Sequence, residues 1–291
     1  MVEPILSVVI PSRNRCTVLR ATLDALDNQV GVGGPYEVIV ADDGSIDATQ
    51  EMLRSCRYSF ELRTLTLEPG GPARARNAAI QEARASRILL LGDDMIPVSE
   101  SLRIHGAASG EPERGVLGMI EWDPEVGITE VMRFLAPEGP QFWFKGLTEG
   151  SVVPTSSVVS ANLSAPRRWF LEEPFDESFT EACMEDTELA LRWRRRGWVV
   201  RFRPEAVCRH HHAYESIRPF LDRQVRAGTW SRTVIRKHPS SIVKLALIPL
   251  GVTILRSLER VAGRFDEADW ERLDWDMAVR RAFFRGIFSR R

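Results

Sequence analysis

Four short runs of branched and apolar residues punctuate the first hundred positions: Leu6–Ile10, Glu37–Ala41, Leu62–Leu67 and Ile88–Leu91. Each has the length of a strand buried on both faces. Between the first two, Leu19, Leu23 and Leu26 recur at helical spacing and Gly31–Pro35 makes a turn. Ser45 is placed to cap a helix running through Cys56, and Pro72 opens a helix to about Ala85. A βαβαβαβ series with short connections implies an α/β fold whose parallel sheet is covered on both faces. Ligands of such sheets bind beyond the carboxyl ends of the strands. The polar clusters fall there: Pro11–Arg15, Asp42–Ser45 and Gly92–Asp94.

After Gly115 the alternation loosens. Gly115–Ile120 and Val158–Leu163 read as strands, and Pro166–Leu171 as a short helix. Glu185–Arg196 is a strong helix, followed by the strand Trp198–Phe202 and a turn at Arg203–Ala206. From about Glu215 the chain reads as helices. The expected division is a sheet domain over residues 1–213, with halves at about 1–100 and 101–213, and a helical extension over 214–291.

Charge bounds the partners. The 291 residues carry 39 Lys and Arg against 40 Asp and Glu, a net charge of -1, which argues against a dedicated nucleic-acid binder. The balance conceals a split: residues 1–191 hold 16 basic and 30 acidic side chains, residues 192–238 hold 13 and 3, and residues 239–291 hold 10 and 7. Cys16, Cys56, Cys183 and Cys208 are scattered without a CxxC pair, which suits a reducing compartment rather than a zinc or redox site. The N-terminus lacks the basic segment of a signal peptide. Ile242–Leu255 is interrupted by Lys244, Pro249 and Gly251 and is shorter than the roughly 20 apolar residues that span a bilayer. A cytoplasmic location is expected.

Three carboxylate clusters carry candidate chemistry, each beside a plainer reading. Asp42 and Asp43 end a buried strand before Gly44 and Ser45; they suit polar ligand contacts or simple turn chemistry. Asp93 and Asp94 follow Ile88–Leu91 and suit a divalent cation carrying a diphosphate, or an Asp-rich turn. Glu185, Asp186 and Glu188 open a helix, where acids complement the dipole; one could instead act as a general base. In His210–His211–His212, strand alternation points His210 and His212 one way and His211 the other, for metal, for phosphate or as a solvated loop. Gly70–Gly71 feeds a helix N-terminus that offers N–H groups to an anion, with Arg74 and Arg76 adding charge.

Together and in this order, SVVIPSRNR, EVIVADDGSIDAT, GPARARNAAI, ILLLGDDMIP, ANLSAPRRWFLEEPFDESF, MEDTELALRWRRRGWVV and RPEAVCRHHH resemble the inverting family 2 glycosyltransferases of the GT-A fold, from about Leu6 to Gly228. The resemblance implies a mixed, mainly parallel sheet flanked by helices. It implies a nucleotide-diphosphate sugar as donor, cupped by Pro11 and the polar residues after it, Arg13 among them, with Asp42 and Asp43 toward base or ribose and Arg76 near the nucleotide. It implies Asp94 as the ligand of Mg²⁺ or Mn²⁺, Asp93 beside it toward the nucleotide, His210 near the metal with His212 as second choice, and Asp186 as the general base. Gly92 departs from the family's Asp-x-Asp, and the processive members' Gln-x-x-Arg-Trp is missing: Gln224, Arg226 and Trp230 stand at the wrong spacing. The expectation is transfer of a single sugar to a saccharide or lipid-linked acceptor, in surface polysaccharide or glycolipid synthesis.

Rival readings are a decayed GT-A scaffold that only binds, and a sugar nucleotidyltransferase, which would want a Gly-rich loop where PSRNR stands. ALRWRRRGWVVRFR reads either as a solvated face or as a surface for an anionic membrane or lipid diphosphate. In Trp275–Phe288, Trp275, Val279, Ala282, Phe283 and Ile287 recur at helical spacing. That helix either lies in a membrane interface or packs on the catalytic domain or a second subunit, in a homo-oligomer.

Overall fold

A computed structural model of the chain describes residues 3–108, 114–261 and 270–289. The described residues form two compact units, one of residues 1–128 and 135–213, the other of 129–134 and 214–291.

The first unit is built on one eight-stranded sheet. Its strands are β1 (Leu6–Ser12), β2 (Tyr36–Asp42), β3 (Glu61–Thr66), β4 (Arg87–Leu91), β5 (Met95–Pro97), β6 (Arg114–Trp122), β7 (Asn162–Pro166) and β8 (Val199–His210), in the order β3-β2-β1-β4-β7-β6-β8-β5. The pairs β3-β2, β2-β1, β1-β4 and β6-β8 are parallel; β7 runs antiparallel to both β4 and β6, and β5 to β8. The sheet is therefore mixed and mainly parallel, as the resemblance implies. The helices of this unit are α1 (Cys16–Asp27), α2 (Thr49–Ser55), α3 (Pro72–Glu82) and α4 (Ser101–Ala107); α5 (Glu130–Leu135) lies largely in the second unit, and α6 (Arg167–Glu172) and α7 (Glu185–Arg195) follow. Val8, Val9, Ile10, Val38, Ile39, Val40, Ile88, Leu89 and Leu90 are fully buried, as expected for strands covered on both faces.

Three local expectations change. The strand read at Val158–Leu163 begins only at Asn162, after a turn at residues 160–161. Ser45 does not cap α2; its Oγ accepts the Asn14 N–H at 2.8 Å, and Asp47 accepts the Thr49 N–H at 3.0 Å instead. Arg203–Ala206 is no turn but part of β8. The strand is irregular there, since β6 advances from Gly118 to Ile120 while β8 advances from Arg203 to Cys208. The extra residues bulge, and Asn162 stitches the bulge by donating to Met119 O at 3.0 Å and Ala206 O at 2.8 Å. Buried His105 holds Asn162 Oδ1 at 3.0 Å and Ser164 Oγ at 2.9 Å. Burial pulls that imidazole down to about 3, so it stays neutral.

The second unit contains α8 (Arg218–Lys237), a π-helical turn at Val243–Leu247, α9 (Ile248–Val261) and α10 (Trp270–Phe288). Helices α8 and α10 cross closely where Gly228 meets the Phe283 carbonyl and Gly286 meets the Val225 carbonyl; a Cβ at either glycine would overlap that oxygen. Leu273, Met277, Val279 and Phe284 of α10 are buried. The helix read as lying in a membrane interface or packing on the protein is engaged with α8 along this face.

Candidate functional site

The parallel strands β1, β2 and β4 end together, and β6 and β8 end on the same edge, where β7 begins. Every candidate residue lies at or just beyond this edge.

Asp93 and Asp94 occupy the turn between β4 and β5. Because β5 pairs with the end of β8, with Met95 opposite His210, Asp94 and His210 are neighbours: Nε2 lies 3.3 Å from Asp94 Oδ2. The His210 ring stacks on Trp122 at 5.2 Å, meets the edge of Phe142 at 5.5 Å and lies over His212 at 5.4 Å. His211 points elsewhere, its Nδ1 2.7 Å from Asp123 Oδ2. The alternation read from the histidine run is therefore present. Arg15 spans the two acids, with Nε 3.2 Å from Asp93 Oδ1 and an Nη2 donor 2.8 Å from Asp94 Oδ2; Ser12 Oγ donates to Asp93 at 2.8 Å. Burial, then the charge of Asp94, pushes Asp93 up to about 6. Burial acts on Asp94 in the same sense, but the hydrogen bond and charge of His210, with Arg15 and His212, outweigh it and hold that carboxyl at about 2.

Asp186 stands in the first turn of α7, part-exposed, and its Oδ2 accepts from the Ser160 N–H at 3.0 Å. The next residue, Ala161, accepts the Gly92 N–H at 3.2 Å through its carbonyl. Backbone bonds thus tie the Asp94 turn to the segment that fixes Asp186. Helix α7 is anchored by Trp193, whose ring packs edge-on against Trp169 at 5.2 Å. Glu185, the neighbour of Asp186, turns inward to Arg76 Nη1 at 3.0 Å, while Arg76 lies 5.2 Å from the Phe175 ring centre. Burial, then Asp186, pushes Glu185 up to about 7, and its Oε2 is buried without a partner.

The remaining candidates are placed as follows. Pro11 pairs with Ala41 near the end of β1, and Arg13 is exposed just beyond. Asp42 is fully buried and accepts from Ser45 N at 3.0 Å and Gln50 Nε2 at 2.9 Å. Asp43 accepts from Gly70 N at 2.7 Å and Gly71 N at 2.9 Å. That last pair corrects the anion-cradle reading of Gly70–Gly71: those N–H groups are given to Asp43. Arg76 pairs with Glu185 through Nη1, its Nε is buried without a partner, and Arg74 is exposed. Sequence reasoning missed the roles of Arg15, Ser160 and Trp122. Arg15 stood in a quoted motif, but only the β1–β4 pairing shows which acids it meets.

The donor set tests the divalent cation. Among the described residues no group of three or more His, Cys, Asp or Glu could hold a metal ion. Asp94 and His210 offer one hard oxygen and one imidazole nitrogen side by side. Such a pair fits Mg²⁺ or Mn²⁺ only when phosphate oxygens and water complete the sphere, the usual habit of these ions.

Residues 7–126 match the family model described as glycosyl transferase family 2. Validoxylamine A glucosyltransferase of Streptomyces hygroscopicus subsp. jinggangensis is 29% identical over 301 residues, covering 91% of this chain and 68% of that protein. The poly(ribitol-phosphate) beta-N-acetylglucosaminyltransferase TarS of Staphylococcus aureus is 30% identical over 113 residues, 38% of this chain and 20% of that one. In fold, the chain is similar to S. aureus TarS in complex with UDP, with a TM-score of 0.54 at 16% identity over 98% and 93% of the two chains. It is also similar to the mannosyltransferase PcManGT of Pyrobaculum calidifontis in complex with GDP-Man and Mn²⁺, with a TM-score of 0.61 at 14% identity over 98% and 88%.

Proposed function

We propose that this chain, which carries a glycosyl transferase family 2 domain at residues 7–126, is a non-processive inverting transferase that moves one sugar from a nucleotide-diphosphate sugar to an acceptor hydroxyl. The observation that carries this reading is the link from Asp94 and His210, through the Gly92–Ala161 backbone bond and Ser160, to Asp186. A diphosphate-side pair and a candidate base thereby share one rigid strand-end edge. The glucosyltransferase relative and the nucleotide-bound fold neighbours agree with a nucleotide-sugar donor.

In this reading Asp94 and His210 hold Mg²⁺ or Mn²⁺, which when bound offsets the charge developing on the departing diphosphate. Ser160 fixes Asp186 Oδ2 and leaves Oδ1 for the acceptor hydroxyl. Asp186 removes that proton as the oxygen attacks the anomeric carbon opposite the leaving group. One displacement inverts the configuration, and no covalent intermediate with the protein is needed. Arg13, near Pro11 at the strand end, faces the nucleotide side. Asp42, Asp43 and Asp93 shape the turns that receive the nucleotide, and Arg76 orders the wall behind Asp186 through Glu185. The acceptor in this reading is a saccharide or lipid-linked saccharide of the cell surface; the relatives are named for validoxylamine A and for poly(ribitol-phosphate), which agree with a hydroxyl-bearing acceptor.

Asp186→Asn tests the assignment. It should lower transfer by at least about a hundredfold, the usual contribution of a general base, and leave donor binding by calorimetry unchanged. Turnover like that of the unmodified protein would remove Asp186 from the role.

A further inference from the structure

Of the twelve large apolar side chains exposed among the described residues, six lie within fourteen positions of the second unit: Ile242, Val243, Leu247, Leu250, Ile254 and Leu255, between 38% and 60% exposed. Val243, Leu247, Leu250 and Ile254 follow at intervals of four, three and four, the spacing that gathers side chains on one side of a helix. An apolar surface of this extent needs a cover. No helix among the described residues is long and apolar enough to cross a membrane, so the stretch can lie in an interface without spanning it.

The charges around it select the cover. Residues 223–258 contain seven Lys and Arg and neither Asp nor Glu. Arg236 and Lys237, at the end of α8 directly before the stretch, are exposed. A second copy seated by two-fold symmetry would set this acid-free run against itself, like charge against like. An anionic lipid surface meets both properties, taking the apolar side chains below the headgroups and the cations among them. We propose that Ile242–Leu255, flanked by Arg236 and Lys237, seats the chain on anionic membranes. Of the two other candidate segments, α10 packs on α8, and in the earlier Arg-rich one Arg192 and Arg196 are paired with Glu173 while Arg194 and Arg195 are exposed. The inference is independent of which sugar the protein transfers.

The test is flotation of the full chain with vesicles of phosphatidylcholine alone or mixed with phosphatidylglycerol, at low and high salt, with the oligomeric state measured beside it. The full chain should float with the mixed vesicles, less so at high salt because the headgroup charges are screened. Leu250→Asp combined with Ile254→Asp should lower the bound fraction by about tenfold or more, given the apolar burial lost, with the unfolding temperature unchanged. Arg236→Gln with Lys237→Gln should reduce the preference for phosphatidylglycerol. Three results would overturn the proposal: no flotation with the mixed vesicles, flotation of the double Asp variant like the unmodified chain, or a dimer that the same two Asp substitutions dissociate.

Discussion

Adjacent acids divide their labour by environment. Glu185 and Asp186 are sequence neighbours, yet Glu185 is buried against Arg76 while Asp186 stays part-exposed with a single backbone donor on Oδ2. A carboxyl raised from about 4.5 to about 7 on folding binds its proton more tightly in the native state. Its contribution to stability is therefore complete below pH 4.5 and is lost as pH rises through about 7. Glu185→Gln, which imitates the protonated form, should flatten the dependence of unfolding temperature on pH across that window; an unchanged slope would show that Glu185 ionises normally. Asp93 and Asp94 show a similar divergence, one pushed up and one held down, because Asp94 alone receives His210. Arg15 bridges the pair, with Ser12 on Asp93 and His210 on Asp94.

Elements matter for where they stop. Strand β4 ends at Leu91 and β8 at His210, and the short β5 brings those ends into register. The bulge in β8 makes this possible, since its extra residues let one strand follow β6 on both sides of Gly118. Asn162 secures the bulge with two donated bonds and a third to His105. Asn162→Ala would strand buried partners on three elements and should cost on the order of 3 kcal/mol, read as a shifted denaturant midpoint with unchanged slope. A loss of only about a few tenths of a kcal/mol would mean that the bulge holds itself. Gly118 is required at the same place, since a Cβ there would overlap Ala206 O and the Asn162 amide.

At the scale of the whole molecule, a donor that binds only the folded state should raise its unfolding temperature. Screening nucleotide sugars by thermal shift with and without Mn²⁺ should find one that stabilises the chain, by about 2.7 kcal/mol at a hundred times its dissociation constant. Asp94→Ala should abolish the Mn²⁺-dependent part of that shift; an identical shift in the variant would show that the cation is held elsewhere. The sequence alone determined the alternating strands, the order of the motifs and the family resemblance, because burial on both faces of a parallel sheet imposes apolar runs that periodicity reveals. It also placed Asp94, Asp186 and His210 as candidates. Only the tertiary structure decided their partners: that Arg15 spans Asp93 and Asp94, that the Gly70–Gly71 amides serve Asp43, and that α10 packs on α8 while Ile242, Val243, Leu247, Leu250, Ile254 and Leu255 stay exposed. The reason is physical. A residue's type and its neighbours in the chain set what it can donate or accept, but contacts between residues far apart in the chain exist only once strand pairing has chosen a register.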